Sequence, residues 1–253
     1  MPFIEDILKY KSISFVGMEK NAGKTQTLNY VLSRLRTFSK TIALTSIGVD
    51  GETLDIVTNT SKPEIEIYPN TTFITSQALY PQREIVSAIE EVSNQTTALG
   101  RLIQARAITQ GKILLAGPSD TISLKKLIEK LEKNVDLILI DGALSRKTFG
   151  SPSITQAMIL STGASLSASL NVVVKKTKFI YQMTQLPQYE GKFAEQLQQI
   201  ENGIYAITDE GIKDLQIPSL MMIDKYKDKI FACGKKLFVA GALNDKFIQF
   251  LKI

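Results

Sequence analysis

Histidine is absent from the 253-residue chain, and Cys233 is its only cysteine. Without histidine, the chain lacks the commonest general base and the commonest ligand for transition metals. A single cysteine cannot form a disulfide within the chain, so a reducing cytoplasm is the expected compartment. These shortages exclude zinc and nickel sites built from Cys and His, and they argue against a metallochaperone GTPase. Oxygen-bound cations such as Mg²⁺ stay compatible with the composition.

Long apolar runs and dense basic runs are also missing. No run reaches the roughly 18 apolar residues that cross a bilayer, and the acidic residues at the start argue against a signal peptide. The net charge is +5, but the lysines are scattered, with Lys175-Lys176-Thr177-Lys178 among the densest groups. This pattern favours solvated lysines over a nucleic-acid surface. The apolar share of 44% and charged share of 22% are those of an ordinary globular protein.

Short apolar runs alternate with amphipathic helical patterns along most of the chain. The runs Leu137-Ile138-Leu139-Ile140 and Val172-Val173-Val174 are typical of strands buried on both faces of a parallel sheet. Helices are predicted at 25–37, 123–133 and 153–169. Strands are predicted at 13–17, 41–47, 72–75, 113–117, 137–141, 171–175, 204–208 and 237–241. The alternation predicts a doubly wound, mostly parallel sheet in a three-layer α/β/α fold.

Residues 50–110 fit this alternation least well. The stretch is polar, and its second half is helix-forming. Arg101 and Arg106 are expected on a solvated helix face there, with a substrate or subunit surface as the alternative. Because no linker-like segment divides the chain, we expect one domain over residues 1–253, with 50–110 as an insertion or lid.

The strongest motif is a glycine-containing loop between the first predicted strand and the first predicted helix. The order strand, loop and helix around Gly23-Lys24-Thr25 is the context that a phosphate-binding P-loop requires. Gly23 allows the backbone to approach a phosphate, and Lys24 can reach the β- and γ-phosphates. The Thr25 hydroxyl can bind Mg²⁺. The predicted nucleotide contacts are Gly17, Glu19, Lys20, Asn21, Ala22, Gly23, Lys24, Thr25 and Gln26.

The spacing departs from the usual P-loop, because five residues rather than four separate Gly17 from Gly23 and Met18 occupies the usual first-glycine position. The sequence Gly17-x5-Gly23-Lys24-Thr25 resembles the loop of dethiobiotin synthetase. That enzyme belongs to the branch of P-loop proteins that includes the signal-recognition and Min-type ATPases. The resemblance implies a P-loop NTPase fold, ATP with Mg²⁺, and a homodimer with nucleotide near the interface. Lys20 lies one place later than the second lysine of Min-type members.

Acidic residues follow two predicted strands. Asp141 ends the strand 137–141, where P-loop proteins place a residue that binds Mg²⁺ directly or through water. Asp50 or Glu52, after the strand 41–47, would reach the metal or orient the attacking water, and an ordinary Asp-Gly turn is the alternative. Arg146 and Lys147 would contact the γ-phosphate or an anionic substrate, unless they form a solvated turn.

Two late segments are candidates for contacting the nucleobase. One contains Lys175, and the other is Gly241-Ala242-Leu243. Neither contains the Asn-Lys-x-Asp sequence of guanine-binding proteins, which favours ATP over GTP.

Three functions fit these observations, and a fourth is disfavoured by them. The first is a Mg²⁺-dependent ATPase that acts on a partner protein, because no second catalytic motif is evident. Short motifs, among them Thr162-Gly163-Ala164, resemble a subunit of lysine 5,6-aminomutase reactivase, which implies reactivation of a cobalamin enzyme. The second is an ATP-dependent ligase or kinase similar to dethiobiotin synthetase. This chain has Leu28 where that family has a substrate-binding lysine, but Lys20 could take its place. The others are a metallochaperone GTPase, which the composition disfavours, and a binding module without turnover.

Overall fold

Two compact units follow one another along the chain, Met1–Thr184 and Gln185–Ile253. A computed structural model describes residues 3–47, 64–142, 154–185, 187, 189–200, 202–234, 236–240, 247 and 250. Compactness alone does not show that a unit functions separately. The single domain and the insertion or lid at 50–110 therefore stay predictions.

The first unit contains a mostly parallel sheet. Its described strands are β1 (Ser12–Gly17), β2 (Ile42–Ser46), β3 (Ile65–Ile67), β4 (Thr72–Ser76), β5 (Ser87–Thr97), β6 (Gly100–Ala107), β7 (Gly111–Ile113), β8 (Leu137–Asp141) and β9 (Ala157–Ser161). Seven of them form one sheet in the order β5-β6-β4-β2-β8-β1-β9. Within this sheet the five neighbouring strands β4, β2, β8, β1 and β9 are parallel. β6 pairs antiparallel with β4, and β5 pairs antiparallel with β6. The predicted α/β class with a mostly parallel sheet is confirmed.

Helices cover both faces of this sheet. The unit contains α1 (Ile4–Ile7), α2 (Lys24–Leu35), α3 (Thr121–Leu131) and α4 (Leu170–Thr184). The buried residues of α2 share one core with Leu137 and Leu139 of β8, whereas those of α3 share another with Ile138 and Ile140. Since successive side chains of a strand point to opposite faces, α2 and α3 lie on opposite sides of the sheet. This arrangement is compatible with three α/β/α layers.

The helix predicted in the second half of 50–110 is wrong, because β5 and β6 form an antiparallel hairpin there. The turn at Gly100 has φ of +88°, which favours glycine. Arg101 and Arg106 lie on β6 rather than on a helix, and Arg106 pairs with Glu90 across the hairpin at 2.9 Å. The edge of β4 accepts β6, and this pairing outweighs the local helix-forming tendency.

Two neighbouring predictions are exchanged in the structure. The helix predicted at 153–169 is wrong, since Ala157–Ser161 forms β9, parallel to β1. The strand predicted at 171–175 is also wrong, since it lies in α4, whose inward residues Val173, Thr177 and Ile180 follow helical spacing. Short apolar runs have no periodicity that separates strand from helix. The run at 157–161 becomes a strand because it pairs with the edge of β1 that β8 leaves open, whereas the run at 171–175 has no such pairing and forms part of α4.

The strand predicted at 113–117 is only partly present. β7 ends at Ile113 and pairs antiparallel with β3 in a separate two-stranded sheet. The following residues run beside β4, where the Ala116 N–H donates to the carbonyl of Ile74, the middle residue of that strand, at 3.1 Å. Gly117 then passes the end of β2, and a Cβ on it would lie 1.7 Å from the Ser46 carbonyl oxygen.

Substitution of Gly117 by alanine should therefore strongly destabilise the first unit. The backbone at Gly117 or Ser46 must shift, and we expect a loss of about 3 kcal/mol in the free energy of unfolding. Denaturant unfolding measures the change. Gly163→Ala is the matched control, because nothing lies within 4 Å of its added Cβ. Equal stability of the two variants would contradict the close approach of Gly117 to β2.

The second unit contains an antiparallel sheet and its own core. The strands β10 (Gly203–Ile207), β11 (Ile212–Asp214) and β12 (Leu237–Ala240) are ordered β11-β10-β12. Thus the strands predicted at 204–208 and 237–241 exist, but they pair antiparallel in a separate sheet. The helices α5 (Ala194–Gln198) and α6 (Lys227–Ala232) complete the unit. In the part that the structure describes, no helix has both the length and the apolar character of a membrane span.

Candidate functional site

Two residues of the loop between β1 and α2 have a left-handed backbone conformation. Asn21 has φ of +60° and Gly23 φ of +85°, so they surround Ala22. Turns with left-handed residues can direct N–H groups toward an anion. In this loop the Ala22 N–H donates to the Glu19 carbonyl at 3.3 Å and the Lys20 N–H donates to Glu19 Oε1 at 3.1 Å. Nothing lies within 4 Å of a Cβ built on Gly23, so its conformation rather than crowding favours glycine there.

Helix α2 begins without a side-chain cap. Its N-cap residue is Gly23, which makes no side-chain hydrogen bond, and its first turn carries no acidic residue. Helix α3 provides the contrast, because the Asp120 carboxylate accepts from the Ser123 N–H at 2.8 Å. The first N–H groups of a helix lack partners within the helix. An uncapped N-terminus following a left-handed turn therefore suits an external anion.

The cap of α3 can itself be tested. The Ser123 N–H holds the pKa of the Asp120 carboxyl below its usual value. Asp120→Ala should lower the free energy of unfolding by about 1 kcal/mol at neutral pH, and Asp120→Asn should retain most of it. Because the folded-state pKa is depressed, the contribution is present above the unfolded-state pKa and disappears as pH falls through the folded-state value. Denaturant unfolding at pH 7 and pH 3 should show the difference between wild type and Asp120→Ala shrinking in acid.

Lys24 and Asp141 meet at the carboxyl end of β8. The register places Asp141 beside Phe15 of β1 and Ser46 of β2. The Lys24 Nζ lies 2.9 Å from Asp141 Oδ1 and donates to the Gly142 carbonyl at 2.8 Å. The two side chains are 20% and 16% exposed, so the ion pair is largely shielded from water. The structure thus brings together the two residues predicted to bind phosphate and metal.

Met18 belongs to the end of a strand rather than to the turn. Its N–H donates to the Ser161 carbonyl at 2.9 Å, which extends the pairing of β1 with β9, and its side chain is buried. The Thr177 hydroxyl of α4 contacts Met18 Sδ at 3.3 Å. The turn therefore starts at Glu19, and its left-handed residues are Asn21 and Gly23. This explains why methionine is tolerated where the usual spacing has glycine.

The remaining predicted contacts differ in their placement. Thr25 is half-buried in the first turn of α2, and Glu19, Lys20, Asn21 and Gln26 are exposed. Lys175 lies exposed on α4 rather than after a strand, which corrects its predicted position; its contact with the base stays a prediction. Other predicted residues lie outside the described part of the chain: Asp50, Glu52, Arg146, Lys147, Gly241, Ala242 and Leu243.

The sequence analysis did not identify a row of small polar residues at the carboxyl ends of the parallel strands. The parallel strands β4, β2 and β9 end in Ser76, Ser46 and Ser161, all of them buried. The Thr27 hydroxyl lies 3.4 Å from the Ser161 hydroxyl and donates to the Gly23 carbonyl at 3.0 Å. Ser161 was hidden because its strand was predicted as a helix. The rule that identified Asp141, a polar residue ending a buried parallel strand, applies equally to these serines.

The site is compatible with a nucleotide-bound Mg²⁺ ion. Among the described residues, no group of three or more His, Cys, Asp or Glu side chains could form a metal cage. Mg²⁺ in nucleotide sites uses one or two protein oxygens and completes its shell with phosphates and water. The Thr25 hydroxyl and the Asp141 carboxylate provide oxygens of this kind.

No protein-family model, curated protein or solved structure matches the chain.

Proposed function

We propose that the β1–α2 loop binds the phosphates of ATP with Mg²⁺, and that the protein hydrolyses ATP to drive a change in a partner protein. The supporting observation is the contact of Lys24 with Asp141 and Gly142 beside the uncapped start of α2. In a P-loop the lysine reaches the β- and γ-phosphates, and the acidic residue faces the metal. The closeness of this cation and this carboxylate to the start of α2 supports the proposal.

Phosphate binding would change the partners of Lys24. In the structure the Lys24 ammonium forms an ion pair with Asp141 Oδ1 at 2.9 Å and donates a hydrogen bond to the Gly142 carbonyl oxygen at 2.8 Å. Phosphate oxygens offer stronger, charge-assisted hydrogen bonds to the same group. In this proposal Lys24 turns to the phosphates, and the Asp141 carboxylate would hold the metal ion or one of its waters. Asp141 and the phosphates therefore compete for Lys24.

Calorimetric titration with Mg²⁺ and either ATP, GTP or inorganic tripolyphosphate tests this proposal. We expect binding of ATP, competition by tripolyphosphate, and weaker binding of GTP. Thr25→Val should weaken the Mg²⁺ dependence, whereas Thr27→Val is the matched control, because the Thr27 hydroxyl already bonds the Gly23 carbonyl. Absence of binding by both ATP and tripolyphosphate would overturn the proposal.

Phosphate release distinguishes the proposed ATPase from the alternative ligase or kinase. Slow turnover by the protein alone, accelerated by a protein partner, supports the ATPase. Turnover that requires a small carboxylic acid supports an enzyme similar to dethiobiotin synthetase. Lys20→Ala is informative here, because the exposed Lys20 would hold the substrate only in the second case.

A further inference from the structure

A cavity lies between helix α3 and the hairpin of β5 and β6. Its volume is about 240 Å³, close to that of about eight water molecules at about 30 Å³ each. Ile74 of β4 and Leu102 of β6 line it with buried apolar side chains, and Leu127 of α3 adds a half-buried one. Because the lining residues belong to β4, β5, β6 and α3, the cavity is separate from the β1–α2 loop. It has room for a small molecule with an apolar body.

One face of α3 brings positive charge to this cavity. Ser123, Lys126, Leu127 and Lys130 line it and follow one another at spacings of three and four residues, which places them on the same side of the helix. Lys130 forms an ion pair with Glu91 of β5. In the part of the chain that the structure describes, Lys126 has no such carboxylate partner. Two lysines and one glutamate leave the lining with one net positive charge.

The hairpin side of the cavity is irregular and held by an arginine. The pairing of β5 with β6 shifts register twice, once beside Glu91 and once around Ser93 and Asn94, and all three residues line the cavity. Such bulges redirect side chains and occur often beside functional sites. The Arg101 guanidinium donates to the Ser93 carbonyl and to Asn94 Oδ1, each at 2.9 Å. With its oxygen held in this way, the Asn94 amide keeps its N–H groups for an acceptor.

We infer that this cavity binds a small organic carboxylate whose apolar body packs against the three apolar lining residues. The Lys126 ammonium supplies the charge for the carboxylate, and the Asn94 amide and the Ser123 hydroxyl supply neutral donors. A doubly charged ligand such as a phosphate monoester fits less well, because Glu91 reduces the net charge of the lining to one. The inference goes beyond the proposed ATPase and shares no residue with it, so each can fail without the other.

Titration of the ¹⁵N-labelled full chain with 4-methylpentanoate, followed by NMR, tests this inference. We expect saturable shifts of the backbone amides of lining residues, Leu102, Gln104 and Leu127 among them. A ligand of this size should bind with about millimolar affinity. The neutral 4-methylpentanamide has the same apolar body without the charge, and it should bind about 10-fold more weakly.

Variants of α3 separate the site from a general effect of positive charge. Lys126→Ala should weaken binding of 4-methylpentanoate about 10-fold, whereas Lys126→Arg keeps the charge and should stay within about 3-fold of wild type. Lys125→Ala is the matched control, because Lys125 is exposed on the same helix and does not line the cavity. It should bind the acid as wild type does. Since both lysines are exposed, we expect these variants to fold normally.

Several results would overturn the carboxylate site. These are the absence of saturable shifts at the lining residues, equal binding of the acid and its amide, or equal weakening in Lys126→Ala and Lys125→Ala. Displacement of the acid by inorganic tripolyphosphate would show a general anion site instead. Tighter binding of a tripeptide that ends in leucine would assign the cavity to the C-terminus of a protein partner rather than to a small molecule. Loss of ATP binding with intact binding of the acid would count against the proposed function alone.

Discussion

Replacement of Lys24 by alanine should weaken the binding of Mg²⁺ and ATP by about 10- to 150-fold. A hydrogen bond to a charged group contributes about 1.5–3 kcal/mol, and each 1.4 kcal/mol corresponds to a factor of about ten in affinity. Turnover should fall further, by about 100-fold or more, since positive charge near the transferred phosphoryl group counts most in the transition state. Calorimetric titration and phosphate release measure the two effects separately.

The folding of this variant needs its own control, because Lys24 makes a shielded ion pair with Asp141. Lys24→Gln keeps a donor for the Gly142 carbonyl and most of the side-chain volume, so its thermal unfolding should stay close to that of wild type. Lys125→Ala removes the same charge from an exposed position of α3 and should leave ATP binding unchanged. Wild-type affinity in both Lys24 variants, with folding intact, would remove Lys24 from the site.

The closeness of Lys24 and Asp141 could be predicted from the sequence because the signals for it are local. The glycine that must adopt a left-handed conformation, the lysine after it and the amphipathic helix α2 all lie within one short segment. Asp141 could be predicted from a different local signal, a polar residue that ends a continuous apolar run. That Lys24 and Asp141 meet at 2.9 Å follows from the parallel sheet, which brings the carboxyl ends of β1 and β8 to the same edge.

The surroundings of the site could not be predicted in the same way, because they depend on pairing between distant segments. The run Met158-Ile159-Leu160 and the run Val172-Val173-Val174 are equally apolar, yet one forms β9 and the other belongs to α4. Only the free edge of β1 distinguishes them. For this reason Lys175 lies on an exposed helix rather than at the predicted strand end. For the same reason the positions of Ser161 and Thr177 near the loop could not be predicted.

The hairpin of β5 and β6 shows the same effect on a larger scale. Many of its residues are polar, and the spacing of its arginines at 101 and 106 resembles that of a solvated helix face. Their partners, Ser93, Asn94 and Glu90, become evident only when the chain folds back at Gly100. Local propensity is thus reliable for α2 and α3, whose apolar faces are continuous, and unreliable where a neighbouring strand edge decides the structure.

Asp141→Asn should strengthen ATP binding in the absence of Mg²⁺ and slow ATP turnover in its presence. If the proposed site binds ATP, the carboxylate would repel a metal-free triphosphate, and it lies 2.9 Å from the Lys24 Nζ that would bind the phosphates. Its neutral replacement should therefore strengthen ATP binding in EDTA by about 3- to 10-fold, or about 0.7–1.4 kcal/mol. With Mg²⁺, loss of the negative oxygen that faces the metal should reduce turnover by about 100-fold or more. Titration in EDTA and in Mg²⁺, with phosphate release in parallel, measures both.

Asp136→Asn is the matched control, since Asp136 lies just before the other end of the same strand and accepts from the Thr41 N–H and hydroxyl. It should leave nucleotide binding unchanged under both conditions. The double variant Lys24→Ala/Asp141→Asn then measures how strongly the two residues are coupled. If Asp141 competes with the phosphates for Lys24, removal of Asp141 should strengthen metal-free binding only while Lys24 is present. Equal strengthening in the Lys24→Ala background would mean that Asp141 acts by repulsion alone and does not hold the lysine back.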